Sequence, residues 1–579
     1  MSPRDCLWAR GRGIPALLLC RRRDPPPGGP LADCHFSRTA RPVRRGLLLL
    51  GIAVLVLGIG GCGKGESRSS EVVTVAIETN PVTLDPRVAT DALSLHVIGL
   101  LFNGLVRADE HFRIVPDLAE RWEQPDERTY IFHLRRGVRF HHGREVTAED
   151  VRYTFESLKT VGSAHAAVLE EIQEIRTLDR YRVAFHLKGP FASILYRLTL
   201  GIVPAELARR DDFGQEPVGT GPFRFRGWVQ NDWVKVEAFP DHFGGEPRIG
   251  QLRFRIIPEA TIRFLEMKKG TIDLLLASLP PEIFPLVVAL PEVQVAKVPS
   301  SNYTYLGFNL EDRILSDLRV RRAIAHAIDQ EGLITHLLRG QATVATGLLP
   351  PQHWAYESQV ETFPFDPERA RRLLDEAGYP LQDGVRFNLT FKATTNELVR
   401  TIAEAIQYQL SQVGIALEIR SYEWGTFYAD IKSGNFQLYV LTWVGITDPD
   451  YYHDIFYSDS RPPRGANRGR YQNDEVDRLL LAVRRKSDLN ERKAIYSRLQ
   501  QILAKELPYV SLWHEIRWTA YKSRIRGFAP MPGGDFTPLK NVWLDTRESS
   551  TGDGGPETGT NAKDLRSSVI GHRSSPKRQ

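Results

Sequence analysis

Two carboxylates follow an apolar, tryptophan-containing run in the segment FQLYVLTWVGITDPDYY, residues 436–452. Asp448 and Asp450 flank Pro449. Paired carboxylates can act as catalytic acid and base, hold a cation, or form a turn that caps a helix at Tyr451. No nucleophile or second pair accompanies them, and no serine lies in a Gly-x-Ser-x-Gly elbow. Catalysis is therefore disfavoured, and we predict that the protein is not an enzyme.

Histidines and glycines elsewhere give weaker signals for a metal or a phosphate. His141 and His142 are adjacent on a predicted strand, where neighbouring side chains point to opposite faces. His514 lacks the second histidine of a zinc-protease helix, and the turn at 219–222 lacks the lysine of a phosphate loop. No cysteine follows Cys62, which excludes a thiolate metal site in the body of the chain. We therefore predict no metal site and no cofactor.

The basic charge of the chain is concentrated in its first residues. The 579 residues are too many for one compact core, so two or more lobes are expected. Of the 76 lysines and arginines ten lie in residues 1–61, and of the 70 aspartates and glutamates three lie there. The remainder carries 66 basic and 67 acidic side chains. A nearly neutral body argues against nucleic acid as a partner.

The leader has the pattern of an exported lipoprotein. Arg44 and Arg45 belong to a basic region, and the apolar run at 46–59 is shorter than a transmembrane span of about 20 residues. The run ends in Ile-Gly-Gly-Cys62, which resembles the bacterial lipobox, whose cysteine becomes lipidated. An uncleaved anchor with an incidental cysteine is the alternative. The predicted segments outside the folded body are a leader with lipoprotein signal peptide (1–61), a tether (62–71) and a disordered tail (547–579).

Strand-like and helix-like patterns alternate along the body, which predicts an α/β protein. Residues 71–78 form a β-branched strand, and 303–309 alternate aromatic and small residues as a strand does. Asp317 is the candidate N-cap of one helix, and Asp366 that of a second helix that Gly378 ends.

The segment LAERWEQPDERTYIFHLRRGVRFHHGREVTAEDVRYTFES, residues 118–157, resembles the signature block of a known family. That family is the extracytoplasmic solute-binding proteins of family 5, which contains bacterial dipeptide, oligopeptide and nickel receptors of ABC importers. Four further segments resemble it, at 83–86, 219–225, 320–329 and 507–514. The matching residues of the block are Leu118, Ala119, Trp122, Phe132, Leu134, Arg135, Gly137, Val138, Phe140, His141, Gly143, Thr147, Ala148, Asp150 and Val151.

The resemblance implies an α/β, bilobal periplasmic-binding-protein fold (class II, cluster C type) with an extra subdomain inserted in the first lobe. In such proteins a ligand is enclosed between the lobes by hinge closure. The expected boundaries are 72–106, 218–305 and 515–546 for lobe I, 107–217 for the inserted subdomain, and 306–514 for lobe II.

The loop after Trp443 departs from the pattern of the peptide-binding members. In those members an aspartate three residues after this tryptophan forms a salt bridge with the α-ammonium group of the ligand. Ile446 stands at that position here and cannot pair with a cation. Either Asp448 takes over this role, or the loop no longer binds an amine and Trp443 stacks on a ligand of another kind. A turn without ligand contact is the third interpretation.

Further ligand contacts are expected by similarity to the family. Trp424 lies in a Glu-Trp loop of the family's type, and Tyr303, Tyr305 and Asn309 lie on the predicted crossover strand, where ligand contact and core packing are both open. No arginine can be assigned to a ligand carboxylate, because no local motif marks one. The predicted ligand-binding residues are Tyr303, Tyr305, Asn309, Trp424, Trp443 and Asp448.

These observations predict a lipid-anchored extracytoplasmic substrate-binding protein of an ABC importer, which captures short peptides and delivers them to a membrane permease. The expected partners are the permease and ATPase subunits and the membrane, reached through a lipid on Cys62. The chain is expected to be a monomer on the periplasmic or cell-surface side. Two alternatives stay open: a non-peptide solute such as a nickel chelate, haem or an oligosaccharide, and a ligand sensor without transport.

Overall fold

The structure is a computed structural model that describes residues 72–276 and 279–545, all of which fall in one compact unit. The predicted leader, the lipid site at Cys62, the tether and the tail lie outside these residues. Within the described part of the chain, every helix is too short or too polar to span a membrane.

The described chain up to residue 308 alternates strands with short helices. Its strands are β1 (Val72–Ile77), β2 (Val106–Ala108), β3 (Ile114–Pro116), β4 (Ala119–Asp126), β5 (Thr129–Leu134), β6 (Ile172–Asp179), β7 (Arg182–Leu187), β8 (Phe223–Val229), β9 (Trp233–Ala238), β10 (Gln251–Ile256), β11 (Leu274–Leu275) and β12 (Val293–Phe308). Its α-helices are α1 (Ala92–Leu101), α2 (Ala148–Glu156), α3 (Val168–Glu171), α4 (Ile194–Arg197), α5 (Ala260–Lys269) and α6 (Phe284–Val288).

The chain after residue 308 has longer helices. Its strands are β13 (Ala342–Val344), β14 (Phe387–Thr394), β15 (Ile415–Tyr422), β16 (Leu438–Trp443), β17 (Tyr509–Lys522), β18 (Ile525–Arg526) and β19 (Trp543–Leu544). Its α-helices are α7 (Leu318–Ala327), α8 (Gln330–His336), α9 (Pro367–Glu376), α10 (Glu397–Ser411), α11 (Trp424–Ser433), α12 (Tyr451–Phe456), α13 (Asp474–Arg484) and α14 (Leu489–Glu506).

One mixed eleven-stranded sheet runs through both lobes, in the order β15-β14-β16-β12-β17-β11-β1-β10-β9-β8, with β13 paired to β17. The long strands β12 and β17 lie side by side and antiparallel at its centre. Strands β11, β1, β10, β9 and β8 extend the sheet on one side, which is the first lobe. Strands β16, β14 and β15 extend it on the other side, which is the second lobe. This is the bilobal α/β architecture predicted from the sequence.

Each lobe has its own apolar core. In the first lobe Val75 of β1 and Phe254 of β10 are fully buried together with Leu100 of α1. In the second lobe Ile324 of α7 and Ile406 of α10 are fully buried in another cluster. The helices can cover the sheet in this way because their apolar residues recur at helical spacing and form one face.

A separate four-stranded antiparallel sheet, in the order β4-β5-β7-β6, occupies the chain between α1 and β8. Tyr130, Phe132 and Leu134 alternate along β5 and all three are buried. Val151 and Phe155 of α2 belong to the same core. This sheet with its own core is the inserted subdomain that the family resemblance implies.

The helix ends predicted from the sequence are confirmed. The Asp317 carboxylate accepts a hydrogen bond from the backbone N–H of Arg319 at 2.8 Å, and α7 begins at Leu318, directly after Asp317. The Asp366 carboxylate accepts from the N–H of Arg369 at 2.9 Å at the start of α9. Gly378 follows α9 with a φ of +87°, a conformation that favours glycine.

Candidate functional site

A cavity of about 1040 Å³ lies between the two lobes, against the crossing strands β12 and β17. The first lobe contributes Glu78, which follows β1, and His96 of α1. The second lobe contributes Asn396, Trp424 and Thr442. Both lobes therefore supply walls of this cavity. Its volume suits a ligand of the size of a short peptide.

The alternation of side chains along β12 decides which residues reach the cavity. Thr304 is opposite Thr442 of β16, and their hydroxyl oxygens lie 2.8 Å apart on the cavity wall. Neighbouring side chains on a strand point to opposite faces. Tyr303 and Tyr305 therefore lie on the other face, where both rings are buried in the aromatic core of the second lobe.

The two tyrosines are held by neighbours within that core. The hydroxyl of Tyr303 is 2.8 Å from Ser511 Oγ. The ring of Tyr305 stacks on Tyr509 at a centroid distance of 4.2 Å, and its hydroxyl accepts a hydrogen bond from Arg468 at 3.1 Å. The structure thus places both residues behind the cavity wall and not on it.

Two more of the predicted contacts also lie away from the inter-lobe cavity. Trp443 packs under the guanidinium of Arg468, whose Cζ is 4.3 Å from the ring centroid. Asn309 donates from Nδ2 to the backbone oxygens of Gly434 and Phe436 at 3.1 and 3.0 Å, which fixes the end of β12. Both arrangements are those of residues that position neighbouring structure.

The carboxylates of the loop after Trp443 turn towards the inserted subdomain. Asp448 is buried, and its Oδ1 accepts hydrogen bonds from Ser193 Oγ at 3.2 Å and from the N–H of Asp450 at 2.9 Å. Asp450 forms a two-point ion pair with Arg484, at 2.8 and 2.6 Å. Ile446, at the position of the family's amine-binding aspartate, is fully buried in the core. The loop therefore makes a turn into α12 and joins it to the inserted subdomain.

Burial shifts the ionisation of Asp448. The pKa of its carboxyl is raised from 3.8 to about 7, first because the group is removed from water and second because the charge of Asp450 repels its own. The positive charges of Arg492 and Arg197 act in the opposite direction and do not cancel these two effects.

The inserted subdomain also touches the second lobe through an aromatic contact. Phe112, at the tip of the β2–β3 hairpin, is buried and stacks on His353 with ring centroids 5.2 Å apart. Its φ of +61° is uncommon for a residue with a side chain and turns the ring towards the second lobe. Trp354 adds two hydrogen bonds, from Nε1 to the hydroxyl of Tyr196 at 2.9 Å and from its backbone N–H to the oxygen of His111 at 3.2 Å.

Charged groups are unevenly distributed around the cavity. Among the described residues that line it, Arg517 of β17 is the only arginine or lysine, whereas Glu78 and Glu515 are both acidic. The Glu515 carboxylate accepts a hydrogen bond from Asn302 Nδ2 at 2.7 Å. His96 is neutral at physiological pH, because burial, assisted by the charge of Arg517, lowers its pKa to about 4.

Three buried polar atoms on the cavity-lining residues have no hydrogen-bond partner among the residues that the structure describes. They are Nε of Arg517, Nδ1 of His96 and Oε1 of Gln341. A buried polar atom without a partner is costly, and such atoms are rare in folded proteins. The three atoms come from both lobes, and polar groups of a ligand in the cavity can pair with them.

A second cavity of about 480 Å³ lies within the second lobe, between α8, the segment 361–365 and α14. Apart from Tyr303, all its lining residues fall within 306–514, so it is a cavity of the second lobe and does not lie between the lobes. Among residues 72–276 and 279–545, no group of three or more His, Cys, Asp or Glu side chains is placed to hold a metal ion.

Of the six residues predicted to bind ligand, Trp424 alone lines the inter-lobe cavity, and it is 53% exposed. The contact with a ligand remains a prediction for all six. Arg517, His96 and Gln341 were missed by sequence reasoning, because no local motif distinguishes them. The signal that was present is the presence of two charged residues, Glu515 and Arg517, directly after the family-like segment 507–514.

Comparisons with known proteins agree on one family. The family model "Bacterial extracellular solute-binding proteins, family 5 Middle" matches residues 113–463. The chain is 26% identical over 527 residues to the dipeptide-binding protein of Escherichia coli, with 85% of this chain and 97% of the relative covered. It is 30% identical over 482 residues to the glutathione-binding protein GsiB of Salmonella choleraesuis, with 80% and 93% covered. The solved structure of HbpA2 from Haemophilus parasuis superposes with a TM-score of 0.75 at 25% identity, covering 82% of this chain and 100% of that chain.

Asp448→Asn should make the protein more stable at high pH and leave it unchanged at low pH. The raised pKa means that folding favours the protonated carboxyl, so the free energy of unfolding falls as pH rises from about 4 to about 7. Asparagine cannot ionise and keeps an oxygen to accept from Ser193. We expect no difference from the parent near pH 4 and a gain on the order of 1–2 kcal/mol at pH 8, measured by thermal denaturation across that range.

The exposed Asp459→Asn provides the matched control, because it makes the same replacement at the protein surface. A loss of stability for Asp448→Asn at pH 8 would show that the carboxylate is ionised and stabilised by its arginine neighbours.

Proposed function

Because the chain belongs to the bacterial extracellular solute-binding proteins of family 5, we propose that it is the lipid-anchored receptor of an ABC importer and captures short peptides between its two lobes. In this role it binds its solute outside the cytoplasm and delivers it to a membrane permease with an associated ATPase. It performs no chemical transformation. We place it on the periplasmic or cell-surface side as a monomer, held to the membrane by a lipid on Cys62.

The observation that carries the proposal is the inter-lobe cavity with its unpartnered polar atoms. A cavity of about 1040 Å³ whose walls come from both lobes is what a receptor that closes on its solute requires. Peptides supply backbone donors and acceptors that suit Arg517, His96 and Gln341. The relatives named for dipeptide and glutathione binding support a peptide-like solute.

Sequence patterns support the remaining parts of the proposal. The lipid rests on the lipobox-like Ile-Gly-Gly-Cys62 after a short apolar run, and the permease and ATPase rest on the family. We retain the domain boundaries given above, with 107–217 as the inserted subdomain and 306–514 as lobe II. Within the site Trp424 keeps its predicted role, whereas Tyr303, Tyr305, Asn309, Trp443 and Asp448 are assigned to positioning the wall and the neighbouring loop.

A non-peptide solute is the second candidate, and one observation favours it. Ile446 is buried where peptide-binding members of the family carry the aspartate for the ligand amine, and Asp448 faces Ser193 instead of the cavity. A solute without a free amine needs no such aspartate.

Native mass spectrometry of the protein purified with mild detergent tests the peptide proposal directly. We expect a set of bound masses that correspond to peptides of about two to five residues, released when the protein is partly unfolded. A single discrete non-peptide mass would replace the peptide proposal by the second candidate. If no mass is retained, the protein is to be incubated with a mixture of short peptides, and failure to capture any of them would contradict peptide binding.

Trp424→Ala should weaken peptide binding about tenfold without lowering stability. The indole is 53% exposed on the cavity wall, so its loss removes ligand contact area and leaves the core intact. Tyr408→Ala is the matched control, because Tyr408 is an exposed aromatic on α10 that does not line the cavity. Binding is measured by titration calorimetry with the peptide identified above. Equal affinity of the two variants for the peptide would contradict a ligand contact by Trp424.

Cys62→Ser should release the protein from the membrane. Serine cannot form the thioether through which a diacylglyceryl group is attached, so labelled fatty acid should no longer be incorporated and the protein should move to the soluble fraction. Cys34→Ser, which alters a cysteine of the leader, is the control and should leave the distribution unchanged. Membrane retention of Cys62→Ser would indicate an uncleaved apolar anchor.

A further inference from the structure

The second-lobe cavity, the space of about 480 Å³ between α8, the segment 361–365 and α14, has no part in the proposed function. Its volume falls in the range of sites for small organic molecules. Tyr303 lines this cavity and Thr304 lines the inter-lobe cavity, so the two cavities lie on opposite faces of β12. A molecule in the second-lobe cavity therefore does not occupy the place of the solute.

The inner wall of the second-lobe cavity is aromatic and aliphatic. Tyr452 and Phe456 of α12 and Leu503 of α14 line it, and all three are buried. Phe365 also lines the cavity but is 50% exposed, which marks the side that opens to solvent. A hydrocarbon or aromatic body that enters from this side can pack on the inner wall and leave water.

The hydroxyl of Tyr452 is a polar group buried in this wall. The residue is 1% exposed, and its hydroxyl oxygen has no hydrogen-bond partner among the described residues. The backbone of Leu348 lies near enough to influence the hydroxyl, but the contact lacks hydrogen-bond geometry. Gly347, which also lines the cavity, has no side chain to cover that oxygen, from which a Cβ atom would lie 3.9 Å away. An unpaired buried hydroxyl is costly, and a neutral polar group of a ligand can pair with it.

The charged side chains that line the second-lobe cavity are all acidic. They are Asp329, Glu331 and Glu361, and none of the described lining residues is a lysine, arginine or histidine. Arg322, which does not line the cavity, pairs with Glu361 at 3.1 Å. Glu331 lies in the first turn of α8 and is exposed. The lining therefore keeps an excess of negative charge, which favours a cation.

The end of a long helix adds to this preference. Leu503 and Ala504 belong to the last turn of the 18-residue helix α14, and both line the cavity. The C-terminus of a helix carries partial negative charge and attracts cations. The guanidinium of Arg321 already donates to the backbone oxygen of Glu506 at 2.8 Å, so one positive group is bound at this helix end.

We infer that the second-lobe cavity is a separate binding site for a small organic amine in its ammonium form, with an apolar body and a neutral polar group at its opposite end. The body packs on Phe456 and Leu503. The polar group pairs with the hydroxyl of Tyr452, and the ammonium lies on the acidic side with Glu331 and the exposed ring of Phe365. The site is independent of the solute and of the proposed function.

Four probes of similar size test the inference on the full chain purified in mild detergent. Tyramine carries both the ammonium and a phenol hydroxyl, phenethylamine lacks the hydroxyl, tyrosol has an alcohol in place of the amine, and phloretic acid has a carboxylate there. Affinities are measured by titration calorimetry. We expect tyramine to bind about 3- to 10-fold tighter than phenethylamine, about 2- to 5-fold tighter than tyrosol, and phloretate to bind most weakly.

Tyr452→Phe should abolish the preference for tyramine over phenethylamine. It should melt at the temperature of the parent or higher, because the hydroxyl that is removed has no partner in the protein. Tyr496→Phe is the matched control: it removes a buried hydroxyl of a residue that does not line the cavity, and should leave the preference intact.

Glu331→Gln should reduce the preference for tyramine over tyrosol. Its control is Glu376→Gln, which replaces an exposed glutamate of α9 that does not line the cavity. Ala504→Phe places a ring in the cavity from α14 and should prevent binding of all four probes, with peptide capture retained.

The remaining outcomes would overturn the inference. Absence of saturable tyramine binding would do so, as would equal affinity of the parent for tyramine and phenethylamine. Displacement of tyramine by a captured peptide, or loss of tyramine binding in Trp424→Ala, would locate the amine in the inter-lobe cavity instead. None of these results bears on peptide capture, which is measured separately, so the proposed function stands or falls without them.

Discussion

The antiparallel pairing of β12 with β17 is the interaction on which the rest of the structure depends. The ladder extends from Val293 opposite Lys522 to Gly307 opposite Tyr509, so the two strands stay together along nearly their whole length. Each lobe adds its own strands to one edge of this pair and covers them with its own helices. The two cavity walls are therefore fixed to a common support, and Arg517 takes its place in the cavity because it lies on that support.

Local sequence patterns were sufficient to predict an α/β protein and the ends of two helices, because they report burial and helix capping. The β-branched run at 71–78 forms β1 as expected, and the side chains of Asp317 and Asp366 start helices as expected. These are properties of residues close together in the chain. The bilobal arrangement with an inserted subdomain came from the family resemblance, since strand pairing between distant segments leaves no local mark.

The site was harder to predict, for physical reasons that individual residues illustrate. Trp424 was found because it lies in a recognisable loop. Tyr303 was assigned to the site without knowledge of its face, and strand alternation placed it behind the wall. Asp448 has a partner, Ser193, that is 255 residues away in the chain. Arg517 lines the cavity because β17 pairs with β12, a long-range pairing that is not visible in a string of residue types.

One irregularity of β12 has a mechanical consequence. The register against β17 shifts twice, between Pro299 and Tyr303 and again before Tyr305. An interrupted ladder resists bending less than a continuous one, and proline cannot donate to it. Asn302 and Thr304 of this stretch line the cavity. The interrupted part of the ladder is thus also part of the cavity wall, so a solute that contacts Asn302 or Thr304 contacts the sheet where its hydrogen bonding is irregular.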